Sequence, residues 1–145
     1  MPTWPTKKTT KKTTKRITYR EDAVQKNIVA YLRKSRFMVT SQCAGLIKSV
    51  VTQKIAKSLG YLKGSPDLIV WAKNCTLNIE VKKPALMTYS FKSKKMIVAD
   101  RAGEQSDEQK EFEQMIKTIP GHHYIVAKSV DEVAEYIKTN NIEPR

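Results

Sequence analysis

The chain has 145 residues, 40% of them hydrophobic, which is enough to form one compact core. Lysine and arginine number 27 against 14 acidic residues, and the resulting formal charge of +13 indicates a polyanionic partner, with nucleic acid as the first candidate. The sequence contains no apolar run of about 18 residues, no amphipathic helix with a broad apolar face and no lipidation signal, which argues against a membrane protein. Cys43 and Cys75 lack CxxC spacing, so we expect reduced thiols, no zinc site and a cytoplasmic location.

The first 17 residues differ in composition from the rest of the chain. They alternate Lys-Lys with Thr-Thr and hold few apolar side chains, so they cannot bury enough surface to offset the entropy of ordering. We interpret residues 1–17 as a flexible basic arm that contacts phosphates, with a solubilising tail as the alternative. Residues 18–145 are then a single domain.

The first part of that domain is predicted to be mostly helical. Apolar side chains recur at helical spacing over residues 19–37, which predicts a helix, and a second helix is predicted over residues 46–60. Residues 37–43 between them are interpreted as a short strand.

The next part is predicted to be a β-hairpin followed by a long connection. Two runs rich in β-branched and aromatic residues, 67–72 and 77–82, predict paired strands. Residues 84–104 form a long polar connection, which is too long for a plain turn and is therefore a candidate substrate-contacting loop. Tyr89 within it could stack on bases, whereas Trp71 is expected in the core.

The remainder alternates helix and strand. Ser106 caps a predicted helix that ends at Gly121, residues 124–127 form a predicted strand, and Ser129 caps a last amphipathic helix. The predicted element order is therefore α, β, α, β, β, α, β, α.

Three charged residues on the predicted hairpin can meet on one face. With a four-residue turn at 73–76, Asp67 would fall opposite Lys82 and diagonal to Glu80, and all three would share a face because side chains alternate along a strand. Two carboxylates can hold Mg²⁺, which lowers the pKa of a bound water, and a neighbouring lysine can orient that water or stabilise charge on a phosphate. The alternative is an exposed Glu-Lys ion pair on an edge strand.

The spacing of these residues resembles the PD-(D/E)XK nuclease superfamily, and more narrowly its virus-type replication-repair nuclease branch (VRR-NUC). That branch has a pattern similar to Gly-x-Pro-Asp-Leu, then Glu-x-Lys, then Ser-x-x-Gln. The corresponding segments here are Gly64-Ser-Pro-Asp67-Leu68, Glu80-Val-Lys82 and Ser106-Asp-Glu-Gln109, and Glu21 with Gln25 fits a further pair on the first helix.

The resemblance implies a restriction-endonuclease-like α/β fold, in which a mixed four-stranded sheet is flanked by helices. It implies that Asp67 and Glu80 are direct metal ligands, that Glu21 assists a metal directly or through water, and that Lys82 is the catalytic lysine. Gln109 and Gln25 would border the site. Acids also favour the first turn of any helix, which is the competing explanation for Glu21.

The implied function is a Mg²⁺- or Mn²⁺-dependent DNA endonuclease that acts on branched, Holliday-junction-like DNA in replication, repair or recombination. Relatives made of this domain alone imply a homodimer, and a viral origin would place the protein in the host cytoplasm. The alternatives are a non-catalytic nucleic-acid-binding protein on a nuclease fold, a sequence-specific restriction-type endonuclease, and a basic RNA-binding protein of ribosomal type. The residues expected to contact DNA are Lys7, Lys8, Lys11, Lys12, Lys83, Lys92, Lys94 and Lys95.

One departure from the family pattern concerns the connection from Lys83 to Glu104. In the family, the connection between the lysine of the Glu-x-Lys motif and the helix that carries the glutamine of the Ser-x-x-Gln motif is usually shorter. The choice of substrate is therefore expected to differ from that of relatives.

Overall fold

The structure is a computed structural model that describes residues 20–42 and 49–145. Its helices are α1 (Glu21–Lys34), α2 (Val50–Ser58), α3 (Asp107–Lys117) and α4 (Val130–Thr139). Its strands are β1 (Met38–Ser41), β2 (Leu68–Trp71), β3 (Thr76–Val81), β4 (Leu86–Ser90), β5 (Lys95–Asp100) and β6 (His122–Ala127).

Four of the strands form one mixed sheet in the order β1-β2-β3-β6, as the resemblance implied. The pairs β1/β2 and β2/β3 are antiparallel, whereas β3 and β6 are parallel. A parallel pair needs a crossover connection, and α3 lies in this one. The central strand β3 buries Leu77, Ile79 and Val81 almost completely, so the sheet passes through the middle of the core.

Helices α1 and α4 cover the sheet with their apolar faces. Ile28 and Leu32 of α1 join Val133 and Ile137 of α4 in one buried cluster with the sheet residues. The first helix was predicted over residues 19–37 but ends at Lys34, because the backbone of Arg36 takes a left-handed conformation (φ 65°) and turns the chain into β1. None of the helices within residues 20–42 and 49–145 is both long and apolar enough to cross a bilayer.

The two serine caps are confirmed. The side chains of Ser106 and Ser129 accept hydrogen bonds from the backbone N–H groups of Gln109 and Glu132, which satisfies donors in the first turn of each helix. The helix predicted over residues 46–60 is α2, which begins at Val50 after a capping box formed by Ser49 and Thr52. Residues 46–48 of that prediction lie outside the described part of the chain.

The predicted turn of the β2–β3 hairpin is wrong by two residues. Trp71 pairs with Thr76, and the Ala72 N–H donates to the Cys75 carbonyl at 2.9 Å, which leaves a two-residue turn. The C-terminal segment holds this turn, because the Lys73 N–H donates to the Glu143 carbonyl and Asn74 bonds the backbone of residues 141 and 143. A shift of two residues leaves every side chain on its predicted face.

The interpretation of residues 84–104 as a polar connection is also wrong, because it contains the antiparallel hairpin β4–β5. The apolar residues of the runs 86–90 and 96–99 supply both strands, and the turn lies in the lysine-rich segment between them. Trp71 is likewise not in the core: it stands at the end of β2 with 40% of its surface exposed.

Candidate active site

Asp67 and Glu80 lie side by side where β2 begins and β3 ends. Extending the register of Leu68 with Ile79 by one residue places Asp67 opposite Glu80, and not opposite Lys82 as predicted. The Val81 N–H donates a 2.8 Å hydrogen bond to Asp67 Oδ2, which fixes the orientation of that carboxylate. The two acids therefore occupy the same end and the same face of the sheet.

Glu80 is buried to an unusual degree for a carboxyl group, with 1% of its surface exposed. Its Oε1 accepts from Lys82 Nζ at 2.8 Å and from Gln109 Nε2, whereas its buried Oε2 has no hydrogen-bond partner within the described residues. Burial raises the pKa of Glu80 to about 7; the Lys82 ammonium opposes this shift, and the negative charge of Asp67 adds to it.

Lys82 follows β3 directly, and its backbone continues the parallel ladder through a 2.9 Å bond from its N–H to the Ala127 carbonyl. Because Glu80 and Lys82 are two residues apart, their side chains leave the backbone on the same side. Only 7% of Lys82 is exposed. Asp67, Glu80 and Lys82 thus converge as predicted, although the register that joins them differs.

Gln109 reaches the carboxylate pair from the first turn of α3. Its Oε1 accepts from the Ser106 N–H at 2.8 Å, which completes the capping box, and its Nε2 donates to Glu80 Oε1. One amide therefore both caps the helix and contacts the buried acid. Its position beside the site agrees with the sequence expectation, and its chemical role stays a prediction.

Gly64 permits this close approach of α3. Its φ of +86° is in the left-handed region, and a Cβ at this position would lie 2.6 Å from the Glu108 carbonyl carbon and 3.1 Å from the Gln109 nitrogen. Lys63 next to it forms an ion pair with Glu108, which lowers the pKa of Glu108 to about 2. The Gly-Ser-Pro-Asp segment therefore packs directly on the start of α3, the helix that carries Gln109.

Glu21 lies near Lys82, and not in a group with the two acids. A Cβ at Gly103 would be 3.0 Å from Glu21 Oε1 and 3.3 Å from Lys82 Cδ, so the exposed Glu21 and the lysine stem both border the space that Gly103 leaves by having no side chain. Gln25, one turn further along α1, donates to the Ser41 hydroxyl at 3.2 Å, at the end of β1. Ser41 pairs with Leu68, the residue after Asp67, so Gln25 borders the same end of the sheet.

The lysines predicted to bind DNA have different surroundings. Lys83 Nζ contacts both carboxylate oxygens of Asp100 at 2.8 and 2.9 Å, so its charge is already paired, and this pairing lowers the pKa of Asp100. Lys92, Lys94 and Lys95 are exposed at the tip of the β4–β5 hairpin. Lys7, Lys8, Lys11 and Lys12 lie outside the described residues.

Sequence reasoning missed two residues that bear on the site. Asp100 pairs with Lys83, and the Gly103 N–H donates to the Lys83 carbonyl at 2.9 Å, so the chain returns to the site after the hairpin. An acid at the end of an apolar run was the available signal for Asp100. Gly103 had no signal in the sequence.

The carboxylate pair fits a divalent cation. Among residues 20–42 and 49–145, no three histidine, cysteine, aspartate or glutamate side chains are grouped as metal ligands, so the acids present are the pair Asp67 and Glu80. Mg²⁺ commonly binds through one or two carboxylates and fills its other positions with water and phosphate oxygens. A buried carboxylate oxygen without a partner, beside a second acid, is the arrangement that such a cation would complete.

Comparisons with known proteins bear on the fold. Neither a comparison with models of protein families nor one with curated proteins gives a match. Among solved structures, a "VRR_NUC domain protein" superposes with a TM-score of 0.57 at 22% sequence identity, over 86% of this chain and 90% of that one. The chain therefore has the fold of a VRR-NUC domain.

Proposed function

We propose that the protein is a metal-dependent nuclease that hydrolyses DNA phosphodiester bonds at Asp67, Glu80 and Lys82. The observation that carries this proposal is the buried contact between Glu80 Oε1 and Lys82 Nζ, beside Asp67 and next to an unpartnered carboxylate oxygen. A protein that only binds nucleic acid gains nothing from placing two acids where phosphates must approach. The formal charge of +13 supports a polyanionic substrate.

Asp67 and Glu80 would hold the cation, and Glu21 would assist through water. A cation bound there supplies Lewis-acid polarisation of a phosphate oxygen and of a water. In the hydrolysis itself, water attacks phosphorus, the P–O bond to one sugar breaks, and the products are a phosphate monoester and an alcohol.

Lys82, whose Nζ contacts Glu80 Oε1 at 2.8 Å, would orient the attacking water or stabilise the charge that grows on the phosphate. Gln109 Nε2 and the Val81 N–H hold the two carboxylates in place.

We further propose, more specifically, that this nuclease is an endonuclease that acts on branched DNA as a homodimer. It is supported by the VRR-NUC resemblance and the VRR-NUC fold, since two symmetric sites could cut two strands of a junction. A restriction-type enzyme is the alternative. The described residues contain no separate domain that could read base edges.

Cleavage assays test the assignment. Purified protein is incubated with labelled linear, flapped and four-way DNA, with Mg²⁺, Mn²⁺ or EDTA, beside the variants Asp67→Asn and Lys82→Ala. We expect cleavage only with metal and a loss of at least about 100-fold in each variant, because each removes charge that the transition state needs.

Matched controls come from α4, where Asp131→Asn and Lys138→Ala change exposed charges that take no part in the contacts described for the site, and both should cut normally. Cleavage that persists in both site variants would refute the site. Tight binding with no cleavage of any substrate would favour the non-catalytic protein. Light scattering at the assay concentration measures the mass of the protein bound to branched DNA. A complex that contains a single protein chain would refute the dimer.

A further inference from the structure

The β4–β5 hairpin projects from the domain. Among the described helices and strands, β4 and β5 pack only on each other, and both faces of the ribbon are largely exposed. The two ends of the hairpin return to the site: Lys83 next to Lys82 pairs with Asp100 at the end of β5, and Gly103 lies against Glu21 and Lys82. A five-residue strand is about 17 Å long, so the tip stands several nucleotides away from the proposed cutting site.

One face of this hairpin is apolar from its base to its tip. The register pairs Met87 with Val98 and Tyr89 with Met96, so these four side chains share a face. They are 47–56% exposed, and Phe91, which is 88% exposed, packs edge-on against Tyr89 with 5.3 Å between ring centroids. Such an exposed apolar face marks a binding surface.

The charge at the tip selects the kind of partner. Lys92 and Lys94 lie in the turn that follows Phe91, and Lys95 begins β5. These three exposed lysines have no ion-pair partner within the described part of the chain. A second copy of this chain would bring another strongly positive molecule against them, whereas phosphates would neutralise them. Aromatic rings interleaved with lysines are typical of surfaces that stack unpaired bases while holding their backbone.

We propose that the β4–β5 hairpin binds unpaired nucleotides of the substrate, with Tyr89 and Phe91 stacking on bases and Lys92, Lys94 and Lys95 contacting phosphates. This inference rests on the proposed function and names its substrate class: DNA that carries a single-stranded segment a few nucleotides from the bond that is cut.

The test measures binding apart from cleavage. The full-length protein is titrated in EDTA into a fluorescein-labelled blunt duplex and into the same duplex with a single-stranded flap. The wild type is expected to bind the flapped DNA about tenfold more tightly. The double variant Tyr89→Ala, Phe91→Ala should lose this preference, whereas Ile119→Ala, an exposed apolar residue near the far end of α3, should keep it.

Two further variants sharpen the result. Phe91→Trp should show quenched indole fluorescence with flapped DNA, and little change with blunt duplex, once the wild-type signal is subtracted. Replacing Lys92, Lys94 and Lys95 by alanine should weaken binding to both DNAs and reduce the salt slope by up to about 3, since each phosphate contact releases counterions. Lys138→Ala is the matched lysine control.

Equal affinity of the wild type for both DNAs, or an unchanged preference in the aromatic double variant, would overturn the proposal. So would a change from dimer to monomer in that variant, because the apolar face would then be covered by a second copy. If the protein cleaves DNA while the preference is absent, only this inference fails. If the preference for flapped DNA is present but no substrate is cut, the proposed nuclease function is wrong instead.

Discussion

At Glu80, a carboxyl group is buried beside a second acid and keeps one oxygen without a partner. Burial alone favours the protonated form, and the Lys82 ammonium compensates only in part, so the pKa of Glu80 rises to about 7. A folded protein does not need this arrangement for stability. A bound cation would offset the cost of ionising Glu80, as in other sites where function and stability conflict.

The stability of the metal-free protein should therefore depend on pH through Glu80. Because the folded-state pKa lies above the ordinary value of 4.5, the contribution of Glu80 is fully present below about pH 4.5 and is lost as pH rises through about 7. Between pH 5 and pH 8 we expect a loss of up to about 3 kcal/mol. Urea unfolding in EDTA at each pH measures it.

The variant Glu80→Gln isolates this contribution from that of all other groups in the protein. Its stability should vary less between pH 5 and pH 8 than that of the wild type, whereas the exposed control Glu135→Gln should follow the wild type. If the free energies of unfolding of the wild type and Glu80→Gln changed equally with pH, burial would not be raising the pKa of Glu80.

At the scale of elements, the contact between the Gly64 segment and α3 brings Gln109 to Glu80. We expect Gly64→Ala to destabilise the protein by roughly 2 kcal/mol or more and to reduce cleavage, because it combines a left-handed backbone with overlap on the Glu108 carbonyl. Thermal or urea unfolding and the cleavage assay measure the two effects.

Gly60→Ala is the control, since Gly60 has φ +96° but nothing within 4 Å of an added Cβ. It should show only the backbone penalty, of about 1 kcal/mol, and normal cleavage. If Gly64→Ala and Gly60→Ala lowered the free energy of unfolding equally, packing against α3 would not be the reason for a glycine at position 64.

For the whole molecule, the distribution of charge should govern affinity. Deleting residues 1–17, which include Lys7, Lys8, Lys11 and Lys12, is expected to weaken DNA binding and to flatten the dependence of log affinity on log salt concentration. Titrations at several salt concentrations in EDTA measure the slope. If truncated and full-length proteins share one slope, the N-terminal segment does not contact phosphates and the solubilising alternative holds.

The sequence by itself determined which side chains share a face and where the last two helices begin. Strand alternation brought Asp67, Glu80 and Lys82 together even though the assumed turn was wrong, because an error of two residues preserves the face. Ser106 and Ser129 are confirmed as caps because capping depends on residues only three apart.

Only the tertiary structure decided the register, the β4–β5 hairpin and the contacts that complete the site. The register depends on the C-terminal residues that hold Lys73 and Asn74, far away in the chain. The hairpin was missed because its strands lie outside the core, where burial leaves no alternating pattern. Gln109 meets Glu80, and Glu21 and Lys82 both lie against Gly103, because packing joins segments that are far apart in the sequence and carry no local signal of their contact.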